Sequence, residues 1–293
     1  MPVSFYEVAW IFVIYAFLGW CTEVAYAALD TGKFVNRGFL NGPVCPVYGF
    51  GVLVVVLVLT PLKENFLILF AGSFLLTSAI EFVTGFLLEK LFHNQWWDYS
   101  NEHFNICGYV CLKFSILWGL ACTMIMDMIH PAIYKVIQMV PKIPGTILLV
   151  LLCIALGVDC VITVSTILKF NRHLKLIDEL GTRLKAVSDE IGENIYEGVT
   201  TVLEKSGDFK ENIELKSAEF SENHEEFIGN VKTAFSEKKE EWAQLQAKYK
   251  EALEKRNSGE RRLMNAFPTM KAKKHEESLN RLKKYLEEKR GEK

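Results

Sequence analysis

Charge is distributed along this chain in a way that no single globular core allows. Residues 1–168 contain 7 of the 33 Lys and Arg and 10 of the 35 Asp and Glu, whereas residues 169–293 contain the other 26 and 25. The averages conceal this, since mean hydropathy is +0.16 and net charge is -2. A first part about 10% charged and a second about 41% charged read as a bilayer part and a water part.

Hydropathy divides the first part. Residues 5–29, 66–88, 110–129 and 145–168 each have the length to cross roughly 30 Å of hydrocarbon at about 1.5 Å per residue. A fifth run, 47–62, is shorter and opens with Gly49 and Gly51. The expected fold is an all-α integral membrane protein with about five transmembrane helices, one short or broken, and a helical, partly coiled-coil-like soluble tail. Three regions follow: a polytopic membrane domain over 1–170, an acidic helical region over 171–254, and a basic helical tail over 255–293. The first run reads as a retained helix, because no Lys or Arg precedes it and no small-x-small site ends it. Lys and Arg set the orientation. Lys169, Arg172 and Lys175 follow the last run; with Lys33, Arg37 and Lys90 they outnumber Lys63, Lys135 and Lys142 on the other side. The N-terminus is therefore expected outside and the tail in the cytoplasm.

Four ionisable residues fall well within apolar runs: Glu23, Glu81, Lys113 and Asp159. Asp127 lies near the end of its run, within reach of the interface. A charge at mid-bilayer costs roughly 2.5–3.5 kcal/mol, so each needs a partner, a proton or water. With this topology Glu23, Glu81 and Lys113 share the cytoplasmic half, where a Glu–Lys–Glu cluster is expected. It reads either as interhelical glue or as a substrate- or proton-handling site.

The stretch from Asn36 to Gly51 is unusual. Arg37, Gly38, Asn41, Gly42, Pro43, Pro46, Tyr48, Gly49 and Gly51 alternate with Phe39, Leu40, Val44, Val47 and Phe50. Pro removes a backbone donor and Gly weakens helix, yet a soluble linker would not be this apolar. Irregular backbone at membrane depth persists where it is buried in protein or lines a wet cavity. A re-entrant or broken segment is expected, the alternative being a tight interfacial turn. Trp96, Trp97, Asp98 and Tyr99 form a second such stretch, readable as an interfacial aromatic belt or as a loop over the polar cluster. His93 and His103 lack a third ligand at helical spacing. Cysteines 21, 45, 107, 111, 122, 153 and 160 contain no CxxC pair and read as small packing residues. No metal, cofactor or catalytic residue is expected, and no enzyme activity.

Several strings, taken in order, carry a resemblance: Gly19-Trp-Cys-Thr-Glu-Val-Ala-Tyr26, Asn36-Arg-Gly-Phe-Leu-Asn-Gly-Pro43, Cys45-Pro-Val-Tyr-Gly-Phe-Gly51, Trp96-Trp-Asp-Tyr-Ser100 and Val110-Cys-Leu-Lys-Phe-Ser-Ile-Leu-Trp-Gly119. Over about residues 5–125 the chain resembles the bacterial putative ABC-transporter permease family, type IV (CmpB-like). Cys107 departs from the pattern, where Asn is expected before Gly108. The resemblance implies a multi-pass protein of the bacterial plasma membrane and a transporter component. The chain has no GxxxxGK[ST] loop, so an ABC-type permease role requires a separate ATPase subunit. Five spans are few for a pathway, which implies a homo-oligomer.

In the tail, Leu174, Ile177, Leu180, Leu184, Val187 and Ile191 recur at helical spacing, as do Phe209, Ile213, Phe220, Phe227, Val231, Phe235, Trp242, Leu245, Tyr249 and Leu253. Gly181, Gly192, Gly198, Gly207 and Gly229 are expected to divide this into several helices with a narrow apolar seam. Residues 176–254 carry 10 basic against 19 acidic side chains, and 255–293 carry 13 against 6. The basic string 261–274 is expected to contact the acidic helices or the lipid surface rather than nucleic acid. Such a tail also fits a non-transporting scaffold or sensor.

Overall fold

The computed structural model describes residues 4–211, 217–255 and 257–291, with side chains over 4–193, 196, 236–255 and 257–289. Ile213 lies outside the described residues, and the side chains of Phe209, Phe220, Phe227, Val231 and Phe235 lie outside the described ones. The chain forms two compact units, one of Met1–Asn171 with Asn257–Glu276, the other of Arg172–Arg256 with Glu277–Lys293.

The first unit is built on α1 (Phe5–Thr31), α2 (Pro46–Leu59, extended by a 3-10 turn to Leu62) and α3 (Phe66–Phe92). It continues through α4 (Leu112–Met124), a π turn at Ile125–Ile129, α5 (His130–Met139) and the first part of α6 (Lys142–Glu211). Four helical stretches are long and apolar enough to cross a membrane, and Pro46–Leu62 is a shorter apolar helix. Leu75, Ile147, Leu151, Ile154, Val158 and Val161 are exposed, as lipid-facing side chains would be. Ile11, Tyr15, Val52, Val55, Val56, Leu59 and Leu69 pack inward with Met126 and Ile137.

Helix boundaries follow local chemistry. A Ser4–Glu7 capping box opens α1, Pro46 occupies the first position of α2, and the Asn65 side chain caps α3. Residues 110–111, expected to begin a span, form strand β3 (Val110–Cys111) instead, paired with β2 (Asn105–Ile106). The turn between them has Cys107 at φ 53° and Gly108 at φ 71°, and the Tyr109 amide bonds the Ile106 carbonyl at 3.0 Å. Two successive left-handed residues are the geometry that Asn-Gly favours. This accounts for the expectation of Asn at position 107.

One end of this unit gathers the 32–45 connection, the 93–111 loops and the segment Asn257–Glu276. That segment contributes α8 (Ser258–Ala266) and β4 (Lys271–Ala272), which pairs antiparallel with β1 (Asn94–Gln95). The opposite end holds the 60–65 turn and an open concavity of about 300 Å3 beside Lys63, His130 and Lys135.

In the second unit, α6 runs without a break to Glu211, through Gly181, Gly192, Gly198 and Gly207, and α7 (Ser217–Glu254) runs through Gly229. The expected interruptions are absent at these five positions. Each Gly costs about 1 kcal/mol against Ala, which a long hydrogen-bond ladder on both sides outweighs. At Gly181 the small residue admits Arg281 of α9 (Glu276–Gly291), whose Nη1 would lie 2.9 Å from an added Cβ. Leu174, Ile177, Val187, Leu253, Leu279 and Leu282 are buried. The basic tail pairs directly with the acidic region through Lys289 and Glu254 at 2.9 Å, and within the acidic region Lys238 of α7 pairs with Glu190 of α6 at 2.9 Å. Within 267–275, expected to be helical, the chain instead forms a turn and β4.

Candidate functional site

The 36–45 segment is irregular, so its backbone groups must find partners outside a helix. They do so in two sets. Asp159 of α6 accepts from the amides of Asn41 at 3.1 Å and Gly42 at 2.7 Å, and from Asn41 Nδ2 at 2.8 Å. Thr163, one turn on, bonds the same Asn41 Nδ2 at 2.9 Å. Arg262 of α8 donates to the carbonyls instead: Nη1 to Gly38 and Leu40, each at 2.9 Å, and Nη2 to Phe39 at 3.0 Å. Asn36 closes the loop on itself. Its Oδ1 accepts from Trp20 Nε1 and the Gly38 amide, and its Nδ2 reaches the Asn41 carbonyl. The Cys45 amide bonds Ala16 O at 2.9 Å, and α2 begins. An anion takes the N–H groups and a cation takes the C=O groups.

The polar residues beside this segment form two contacts. Glu23 Oε1 accepts from the Tyr48 hydroxyl at 2.5 Å, and Glu23 Oε2 lies 3.4 Å from Arg37 Nε. Tyr48 also sits edge-on to Trp118, with ring centroids 5.4 Å apart. Glu81 Oε1 accepts from the Tyr99 hydroxyl at 3.3 Å, while Glu81 Oε2 is buried without a hydrogen-bond partner among the described residues. Tyr99 stacks on Phe114 at 4.9 Å and is near enough to Glu23 and Tyr48 to interact electrostatically with both. Glu23, Arg37, Tyr48, Glu81 and Tyr99 therefore share one neighbourhood, in the half of the helices nearest the loop-rich end.

Lys113 does not join them. It is 67% exposed and its Nζ lies 3.4 Å from Glu102. The expected Glu–Lys–Glu cluster is replaced by Glu23–Arg37, because α4 begins at Leu112 and leaves Lys113 in its first turn, facing the preceding loop. Asp127 is exposed on the π turn. Pro43 is also exposed, and Pro46 serves to start α2.

The Trp-rich stretch lies over the same end. Trp96 is 3% exposed and packs edge-on against Phe39 at 5.3 Å and Phe267 at 5.1 Å. Trp97 Nε1 donates to Tyr109 O at 2.9 Å. Asp98 pairs with Lys271 at 2.6 Å and accepts from the Ser100 amide and hydroxyl. Burial works to raise the Asp98 carboxyl, but hydrogen bonds from Lys271 and Ser100, with the Lys271 charge, lower it from 3.8 to about 2. The same hydrogen bond raises Lys271 above 10.5.

A lowered carboxylate stabilises the fold fully above its unfolded value and loses that contribution as pH falls through the folded one. A raised amine acts in the opposite sense, fully below its unfolded value and lost as pH rises through the folded one. The Asp98–Lys271 contact should therefore hold steady from about pH 5 to about pH 10 and weaken between about pH 4 and about pH 2. Hydrogen exchange of the Lys273 amide, which bonds His93 O at 2.9 Å, reports it once corrected for intrinsic rate. Protection that fell between about pH 8 and about pH 6 would contradict this assignment.

Sequence reasoning missed Arg262, Thr163 and Trp20. The first lies in the basic string 261–274, but its partners are carbonyls, which have no sequence signature. Residues 10–164 match the model of a family described as putative ABC-transporter type IV. No curated protein and no solved structure matches the chain.

Proposed function

This chain belongs to the putative ABC-transporter type IV family, and we propose that it is the membrane-spanning component of a transporter, with its polar site at Glu23, Arg37, Tyr48, Glu81 and Tyr99. The observation that carries this is Glu81. Glue between helices satisfies its polar atoms, whereas Glu81 keeps a buried carboxyl oxygen with no hydrogen-bond partner among the described residues. In a low-dielectric surround such an oxygen attracts a cation or a proton. The Gly/Pro segment is the gating element in this reading: its backbone is held by two ionic side chains rather than by a helix, as in the broken helices of transporters.

Lys33, Arg37, Lys90, Lys113, Arg262, Lys271 and Lys273 belong to the loop-rich end, against Lys63, Lys135 and Lys142 at the other. The positive-inside bias supports a cytoplasmic loop-rich end, hence an outer N-terminus; the bacterial plasma-membrane setting rests on the family resemblance. A reporter fused after Arg172 that proved extracellular would overturn this orientation. Energy comes from a separate ATPase subunit, and two or more copies complete the pathway. Purification of the tagged chain from its native membrane, followed by mass spectrometry, tests this. A P-loop ATPase in stoichiometric amount is expected. Homo-oligomer alone would favour the second reading, a membrane scaffold or sensor, which the long α6 and α7 support.

A further inference from the structure

We propose that the loop-rich end of the membrane unit is a docking site for a basic peptide with apolar anchors, filled here by the chain's own Asn257–Glu276, and that its occupancy sets the order of the Gly/Pro segment. The segment is far along the chain from Asn171, and both of its flanks belong to the second unit. Non-covalent contacts therefore hold it in place.

Those contacts are of the kind a peptide-binding site makes. Arg262 is the central anchor, its planar guanidinium matching three successive carbonyls that no ammonium would span as well. Leu263 and Met270 are buried at 0% and 1% exposure, and Phe267 meets the buried Trp96. The segment then adds a strand to β1, with Gln95 opposite Lys271 and Asn94 opposite Ala272. Strand addition supplies backbone affinity while side-chain pockets supply specificity. Charge is complementary at the rim: Lys271 meets Asp98 at 2.6 Å and Lys273 meets Glu89 at 3.8 Å. The capping box of Asn257 and Glu260 starts α8 at the position that aims Arg262 inward.

The consequence lies in the carbonyls. With the segment docked, the carbonyls of Gly38, Phe39 and Leu40 are satisfied by one side chain. Undocked, all three lose that partner at once, and the segment between α1 and α2 loosens so that its amides open more often from Asp159. Because each flank of Asn257–Glu276 runs into the second unit, an event that pulls on that unit reaches the Gly/Pro segment through Arg262. This connects the tail to the site independently of whether the chain transports anything.

The test uses the full chain in nanodiscs, read by hydrogen exchange over residues 38–45. The R262Q/F267A variant is expected to exchange there at least about tenfold faster, with α3 and the apolar part of α6 unchanged. A synthetic peptide of wild-type residues 257–276, added at up to about 1 mM to compete with the tethered copy, should restore protection. The same peptide with R262Q should not. In a second full-length variant, Q95C/K271C, oxidation should join positions 95 and 271, identified by peptide mapping, and leave protection over 38–45 at its wild-type level. Unchanged exchange in R262Q/F267A, failure of the wild-type peptide to restore protection, or failure of the cross-link to form would each overturn the proposal. So would loss of the folded, monodisperse protein in R262Q/F267A, because a docked ligand is dispensable to the fold.

Discussion

Replacing Asp159 by alanine is expected to lower stability by about 3–5 kcal/mol, the largest effect of any single substitution in the membrane unit. Two of the bonds it removes come from the backbone amides of Asn41 and Gly42, which lose their acceptor. Each orphaned donor costs about 1–3 kcal/mol. Burial lowers the pKa of Arg262 and the Asp159 charge opposes that lowering, so the substitution also leaves the burial of Arg262 unopposed by that charge. Asp159→Asn should be nearly as damaging, because an amide nitrogen would face one of the two N–H donors. Asp127→Asn, at an exposed carboxyl on the π turn, serves as the control and should be neutral. Thermal unfolding followed by size-exclusion of the solubilised protein measures all three. An Asp159→Ala protein within about 1 kcal/mol of wild type would show that the Gly/Pro segment is held by something else.

The second large effect is at Gly19, where α1 packs closely against Tyr48 of α2. A Cβ there would fall inside Tyr48, on its Cβ and Cγ. Both are stem atoms fixed to the α2 backbone, so the helices must separate. Overpacking of this kind costs about 1–3 kcal/mol, occasionally more. The same shift carries the Tyr48 hydroxyl away from Glu23, so Gly19→Ala should disturb the polar site as well as the fold. Gly51, three residues beyond Tyr48 on the same helix, has open space where a methyl group would be added. Gly51→Ala should therefore be neutral or stabilise by up to about 1 kcal/mol. Equal effects at Gly19 and Gly51 would sink the close-approach account. Small residues at helix contacts are expected where bilayer lipid offers no hydrophobic driving force between helices.

Much of this was legible beforehand, and the failures have physical causes. Hydropathy located the apolar helices because a bilayer imposes length and composition directly. The Gly/Pro density among Phe and Leu marks 36–51 as irregular, since the two signals rarely coexist in water-exposed loops; the structure keeps 36–45 irregular, whereas Gly49 and Gly51 lie inside α2. Glu23, Glu81 and Asp159 were found by their cost. Their partners were harder, because hydropathy gives depth without direction: Lys113 has the right depth for Glu23 and Glu81 but lies on the first turn of α4, beside Glu102. Arg37, read only as part of a segment, takes its place. Arg262 lies within a basic string, yet nothing in that string names carbonyl oxygens more than 200 positions earlier. Glycines in the tail do not divide α6 or α7, since one Gly lowers helix stability without ending a helix.

Whether Glu81 is part of a site or of the scaffolding decides the functional reading. The direct measurement is Glu81→Gln in the complex purified with its ATPase subunit and reconstituted into proteoliposomes, with unfolding temperature and ATPase rate measured on the same preparation. If Glu81 belongs to a site, the variant unfolds within about 1 kcal/mol of wild type, while the ATPase rate falls by at least about tenfold. If Glu81 is scaffolding, the variant loses its folded population, or keeps both its fold and its full rate; either result contradicts the assignment.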